Sequence, residues 1–271
     1  MSIDPDSVPQ IPGPSPCSTA VVVPLVSNIQ SAFPGATAYS GNGQERMIIF
    51  FSRMFDRLTP LEIASLSQWL RRTSLQLGTV CSGTDCPVLV CQAMRVALLR
   101  RGLTLHFEHC YSCELNPEKR AFLQRHFRDL QHLYCDIDDI AALHWTPAPV
   151  QAPDAQQQGN KPTPVPDHNM LVGGFPCTDV STLHCAPGTQ EHRQCVLNGS
   201  LRTGGVFDAI IRLILHHQLE YGLLENVAAL AIKDDSGVSN CDVVLERLSV
   251  ECDCFAMVFQ LTPWIFGGIV Q

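Results

Sequence analysis

Leu77-Gly78-Thr79-Val80-Cys81-Ser82-Gly83-Thr84-Asp85 is a short apolar run that ends in a turn of small residues. Residues 87–101 follow as an apolar-rich helix stopped by Gly102, and residues 106–113 return to strand. Strand, tight turn, helix and strand in that order make one βαβ unit, the building block of a parallel sheet. The same alternation continues downstream. Asn116-Pro117 opens a helix to about Phe127, residues 133–135 and 170–173 read as strands, and residues 206–219 as an amphipathic helix. Residues 222–225 are a further strand, 241–248 a helix and 255–261 a closing strand. Upstream, Thr59-Pro60-Leu61-Glu62 supplies a capping residue, a proline at the first helical position and a glutamate three residues after the cap. Leu61, Leu66, Trp69 and Leu70 give that helix an apolar side, and Gly78 is expected to end the segment. The pattern predicts an α/β fold, a doubly wound and mostly parallel sheet with helices on both faces.

The chain has 271 residues, 45% apolar and 16% charged, a composition that excludes a wholly disordered or collagen-like protein. Residues 1–45, rich in Pro, Ser and Ala, are read as a flexible leader, and 46–271 as one domain. Six prolines and a Gln156-Gln157-Gln158 tract between residues 146 and 168 predict a disordered insertion that cannot pack as strand or helix. No apolar run approaches the ~18–20 residues of a membrane span, and the first residues lack a basic signal-peptide region. An intracellular protein with no membrane partner is the expectation. With a net charge of −8, nucleic-acid binding must rest on a local site and not on the bulk field. The 13 cysteines do not form paired zinc-ligand motifs: Cys110-x-x-Cys113 and Cys252-x-Cys254 stand alone, and Cys185, His192 and Cys195 are only loosely clustered. No metal is expected, and most thiols read as reduced core residues.

In an open α/β sheet, ligands sit beyond the carboxyl ends of the strands. There the chain places the Cys81–Asp85 turn, then Glu114, then Asp136. The turn suits close approach of a cofactor, but its single glycine is no dinucleotide fingerprint. Glu114 and Asp136 read either as partners of a nucleoside or as a helix-start charge and a turn residue. The fourth strand ends in Gly173-Gly174-Phe175-Pro176-Cys177-Thr178-Asp179-Val180-Ser181, where a cysteine on a turn after a buried strand has the setting of a nucleophile. The fifth ends in Leu224-Glu225-Asn226-Val227 and puts a carboxylate at the same edge.

Gly-Gly-Phe-Pro-Cys followed at a distance by Glu-Asn-Val resembles the cytosine-5 DNA methyltransferase family. The resemblance runs over about residues 75–271 and includes Val80 to Asp85, Cys113-Glu114-Leu115-Asn116, Asp136-Ile137 and Arg202 to Phe207. It implies S-adenosyl-L-methionine as cofactor, met by Ser82, Gly83, Asp85, Glu114, Asp136, Ile137 and Pro176. It implies Cys177 as nucleophile toward carbon 6 of a cytosine flipped out of DNA, Glu225 as its partner on the base, and Asn226 as the residue that orients the turn. It also implies a nuclear location in a eukaryote. RNA is the alternative substrate, because tRNA-acting relatives share these motifs, and a non-catalytic remnant is the alternative to an enzyme. Thr178 stands in place of the family's Gln and Cys81 in place of its Phe. Asp85 replaces its second Gly and is expected to crowd the cofactor. Ile265 to Gln271 resembles the run before the family's next motif, so the target-recognition half is expected to be missing here, the chain being a truncated gene model, a fragment or a split subunit completed by a separate C-terminal half or partner subunit.

Overall fold

A computed structural model describes residues 43–141, 151–155, 162–181 and 189–259. Its centre is a five-stranded parallel sheet built from β1 (Ser74–Val80), β2 (His106–Cys113), β3 (Leu133–Tyr134), β6 (Met170–Gly174) and β7 (Tyr221–Glu225). The spatial order is β3-β2-β1-β6-β7. The chain winds outward from β1 to β3, then returns beside β1 to lay down β6 and β7. The topological switch therefore lies between β1 and β6, and the loops leaving these two strands open a crevice between them.

Burial on both faces explains why the strands read as near-continuous apolar runs. From β1, Leu77 packs with Val88 and Cys91 of α3 (Cys86–Leu99) and with Leu123 of α4 (Pro117–His126). Val80 points to the opposite face, against Phe207 and Ile210 of α7 (Leu201–His217) and Val243 and Val244 of α8 (Asn240–Val250). A third cluster joins Leu75 and Leu98 to Phe55 of α1 (Gly43–Phe55) and Leu70 of α2 (Pro60–Arg72).

Local chemistry sets most boundaries. Thr59 and Glu62 form a reciprocal capping box at α2, and the Asn116 side chain accepts from Glu118 and Lys119 N–H at the start of α4. Gly78 does not end α2. The helix stops at Arg72, and Gly78 lies inside β1, where an added Cβ would stand 2.5 Å from the Tyr111 ring. That glycine makes room for a fully buried tyrosine, whose hydroxyl lies 3.1 Å from His168 Nε2.

Three other expectations are corrected. Helix α1 begins at Gly43, inside the stretch read as leader, whose residues 1–42 lie outside the described residues. Within the proline-rich insertion, β4 (Gln151–Pro153) and β5 (Pro162–Pro164) pair antiparallel. A two-stranded ribbon has outward-facing backbone positions where a missing N–H costs nothing, so proline is tolerated there. Buried Asp154 ties the ribbon to the sheet, accepting from Leu133 N–H at 2.9 Å and the Thr163 hydroxyl at 2.9 Å, with His132 Nδ1 at 2.7 Å. Residues 255–259, expected as the start of a closing strand, form no strand and expose Phe255, Val258 and Phe259; residues 260 and 261 lie outside the described residues.

Candidate active site

Two pins bring the Phe175–Ser181 turn to the end of β7. Asn226 Nδ2 donates to the Phe175 carbonyl at 3.1 Å, while its Oδ1 accepts from Val227 N–H at 2.9 Å. Gly174 and Glu225 are direct register partners, and an added Cβ on Gly174 would stand 3.1 Å from Glu225 Oε2. The second glycine thus leaves space for the carboxylate of the neighbouring strand. Across the crevice, Asp179 Oδ2 accepts from Thr203 N–H at 2.7 Å, a carboxylate at the N-terminus of α7 where the helix dipole favours it. Cys177 is half-buried between these pins, and its carbonyl accepts from Val180 and Ser181 N–H in a tight turn. Glu225 is exposed at the same edge. Neither Asp179 nor Thr203 was singled out from the sequence; the two are 24 residues apart, and no local pattern links a carboxylate at that distance to the start of α7.

The other half of the edge is built around the Cys81–Asp85 turn. Cys81, Gly83 and Asp85 all take left-handed backbone angles, with φ of 51°, 58° and 53°. Glycine adopts that conformation freely and aspartate better than most residues, but at Cys81 it is a local strain of the kind found at functional sites. The strain is held by β2 and its exit. Ser82 N–H donates to the Cys113 carbonyl at 3.1 Å, Cys113 N–H to Ser82 Oγ at 3.0 Å, and Gly83 N–H to Glu114 Oε2 at 2.7 Å. Glu114 is buried, and its second oxygen accepts from Asn116 N–H at 2.8 Å. Asp136 caps the short α5 (Ile137–Ile140) through Asp138 N–H at 3.0 Å, and Ile137 is buried behind it. Pro176 is half-buried beside Cys177.

Asp85 is placed otherwise than expected. Its carboxyl is fully buried and receives the Ser112 hydroxyl, with His109 Nε2 at 3.6 Å. The side chain faces the interior under the turn, so it does not crowd the crevice. Burial raises the Cys81 thiol to about 11, with the Glu114 and Asp136 carboxylates adding to the rise and Arg202 opposing it. The ends of β1, β2 and β3 and the start of α7 thus share one electrostatic neighbourhood.

These donors discriminate among ligands. Carboxylates at the ends of β2 and β3 match the hydroxyls of a ribose, an adenine amine or a sulfonium cation, and they repel a pyrophosphate. The left-handed Gly83 has open space over it, since an added Cβ would meet only Cys81 O at 3.9 Å. The residues present fit S-adenosylmethionine. Among the described residues no three His, Cys, Asp or Glu side chains converge as a metal site. No helix among them is long and apolar enough to cross a membrane.

The comparisons agree with this geometry. The chain is 29% identical over 178 residues to DNA (cytosine-5-)-methyltransferase DMT5 of Cryptococcus neoformans var. grubii, an alignment covering 64% of this chain and 7% of that protein. It is 30% identical over 118 residues to DMT5 of Verticillium dahliae, covering 40% of this chain and 4% of that protein. The chain thus spans less than a tenth of the length of these relatives. Among solved structures, the CMeT domain of the citrinin polyketide synthase matches at a TM-score of 0.26 and 13% identity, over 76% of this chain and 45% of that one, too distant to carry an argument. The C-5 cytosine-specific DNA methylase family matches residues 91–251, more than half of the chain and the part that holds Glu114, Asp136, Cys177 and Glu225. The chain belongs to the C-5 cytosine-specific DNA methylase family.

Proposed function

We propose that this chain binds S-adenosyl-L-methionine at the ends of β1, β2 and β3 and methylates carbon 5 of cytosine in DNA through a covalent bond to Cys177. The observation that carries the reading is the Asn226 pin, which joins the Phe-Pro-Cys turn to the Glu-Asn-Val turn at one sheet edge. A cytosine lying over Cys177 is within reach of a carboxylate from the next strand. DNA is favoured over RNA by the family and by the names of both curated relatives.

Carbon 5 of cytosine is a poor nucleophile until carbon 6 is attacked. The Cys177 thiolate adds to carbon 6, and the electron pair moves toward carbon 5. Glu225 holds the proton at ring N3 and accepts from the exocyclic amine, which offsets the charge that develops on the ring. When bound, the cofactor supplies the methyl group that carbon 5 takes. Loss of the carbon 5 proton then expels Cys177 and restores the thiolate. The base must leave the stack to reach the crevice. Glu114, Asp136 and Gly83 hold the cofactor, while Pro176 and Phe175 fix the direction of the nucleophile's turn.

The test is incubation of the chain with cofactor and a duplex carrying 5-fluorocytosine, which lacks the carbon 5 proton needed for release. A covalent complex that maps to Cys177 and is lost in Cys177→Ser, with cofactor affinity unchanged, is the expected result. Cofactor binding with no complex under any condition would favour a non-catalytic binding module. A complex formed on a cytosine-bearing RNA in preference to DNA would move the substrate class.

A further inference from the structure

The turn after β1 is fastened to three consecutive residues. Glu114 takes Gly83 N–H, Cys113 exchanges hydrogen bonds with Ser82, and Ser112 donates to the buried Asp85 carboxyl. All three anchoring residues are buried, and the third anchor joins two side chains, Asp85 and Ser112, that are buried completely beneath the turn. A residue with a left-handed φ at position 85 needs no side chain for the turn itself; a glycine would adopt the angle more freely. An aspartate here gives the turn a lower attachment that a glycine cannot make.

We infer that Asp85 is a positioning residue for the cofactor, holding the Cys81–Asp85 turn from beneath through Ser112. The inference rests on the reading of this edge as the S-adenosylmethionine site. The groups facing the Asp85 carboxyl are Thr79 of β1, Ser112 and His109 of β2, and the more distant Glu114. Ser112 Oγ also lies 3.1 Å from His109 Nε2, so when the carboxyl takes a proton and donates to Ser112 Oγ, the Ser112 hydroxyl can donate to the imidazole and the contact is kept. Asp85 Oδ1 is buried and makes no hydrogen bond of normal geometry. That orphaned oxygen makes the anionic form costly here. Burial accordingly raises this carboxyl to about 6, and it lowers His109 to about 4, so no imidazolium offsets the carboxylate near neutrality. The sign follows. The folded chain takes up a proton near pH 6 where an unfolded aspartate waits until 3.8; the Ser112 bond by itself favours the anion, but burial outweighs it, so the closed turn is favoured more as pH falls through 6.

The experiment uses the full chain and two readouts between about pH 5 and pH 8. One is the amide-exchange protection of residues 81–86 without ligand; the other is S-adenosylhomocysteine affinity by calorimetry. In the native chain, protection rises toward the acid side with a midpoint near pH 6, and affinity rises several-fold with the same midpoint. Asp85→Asn, which is neutral and nearly isosteric, is flat in both and sits near the acid-side level. Ser112→Ala loosens the turn at every pH. A native turn whose protection does not titrate, or an Asn variant that titrates as the native chain does, overturns the inference even if the nucleoside binds. A turn that titrates while affinity stays constant with pH also overturns it, because Asp85 then shapes the turn without serving the cofactor. A turn that titrates in a chain that binds no S-adenosylhomocysteine overturns the cofactor reading on which the inference rests.

Discussion

Among the described residues, Asn226 bonds to both strand-end turns of the proposed reaction edge, so its removal tests the site as an assembly. Its two hydrogen bonds, 3.1 Å to the Phe175 carbonyl and 2.9 Å from Val227 N–H, are half-buried and uncharged. Only the bond to Phe175 crosses between the turns, the other lying within the Glu225–Val227 turn, so Asn226→Ala loses about 1 kcal/mol of the preference for the joined turns. That is a factor of about 5 in the population with Cys177 and Glu225 correctly opposed, and the rate of covalent capture falls accordingly. Asn226→Asp is the sharper variant. It has the same volume and keeps the acceptor for Val227, but it places an oxygen against the Phe175 carbonyl, so capture falls at least as far as in the alanine variant. The assay is the rate of complex formation with 5-fluorocytosine duplex by intact mass. Thermal unfolding should move only a few degrees, since about 1 kcal/mol shifts a domain of this size by about 2–4 °C. Full-rate capture by Asn226→Asp would show that the turns do not depend on this pin and would refute the reasoning.

Two further predictions concern the fold beneath the site. Gly78→Ala puts a methyl group 2.5 Å from a buried Tyr111 ring that has nowhere to move, so urea unfolding should report a loss of about 1–3 kcal/mol, partly restored by Tyr111→Leu. The His168 and His217 rings lie 4.3 Å apart at a tilt of 53°, and burial lowers them to about 4 and about 3. Both stay neutral when folded but charge near 6.5 when unfolded, so stability present above pH 6.5 drains away as pH falls toward 4. Urea midpoints measured against pH should show that decline, and His217→Phe should flatten it.

The elements that position the site were legible because their signals are local. Caps at Thr59 and Asn116 and the β-branched and apolar run of β1 depend on neighbours within a few residues. Glu114 and Asp136 could be placed at the sheet edge because strand order in a βαβ chain assigns that edge. What failed depended on distant partners. Nothing near Asp85 in sequence says that its carboxyl meets Ser112, so a residue that supports the turn read as one that obstructs it. Prolines 153 and 162 read as breakers, although each occupies a ribbon position facing the other. Helix α1 carries Ile48, Phe51 and Phe55 at helical spacing, but it opens on Gly43 after a long stretch with no sustained hydrophobic period. Residues 255–259 have strand-like composition, yet a strand needs a ladder, and among the described residues they have none.

The anchors of the Cys81–Asp85 turn lie about thirty residues away from it along the chain, across an entire helix. A fragment ending after α3 therefore contains the turn's sequence but not its shape. During folding the turn cannot form until β2 has docked beside β1, a non-local step that comes after the local helices. Ligand affinity at this edge then doubles as a gauge of sheet closure: every molecule that binds has already zipped β1 to β2. A nucleoside that binds only the closed sheet would hold it closed, and would slow the opening of the strand pair at the centre of the domain.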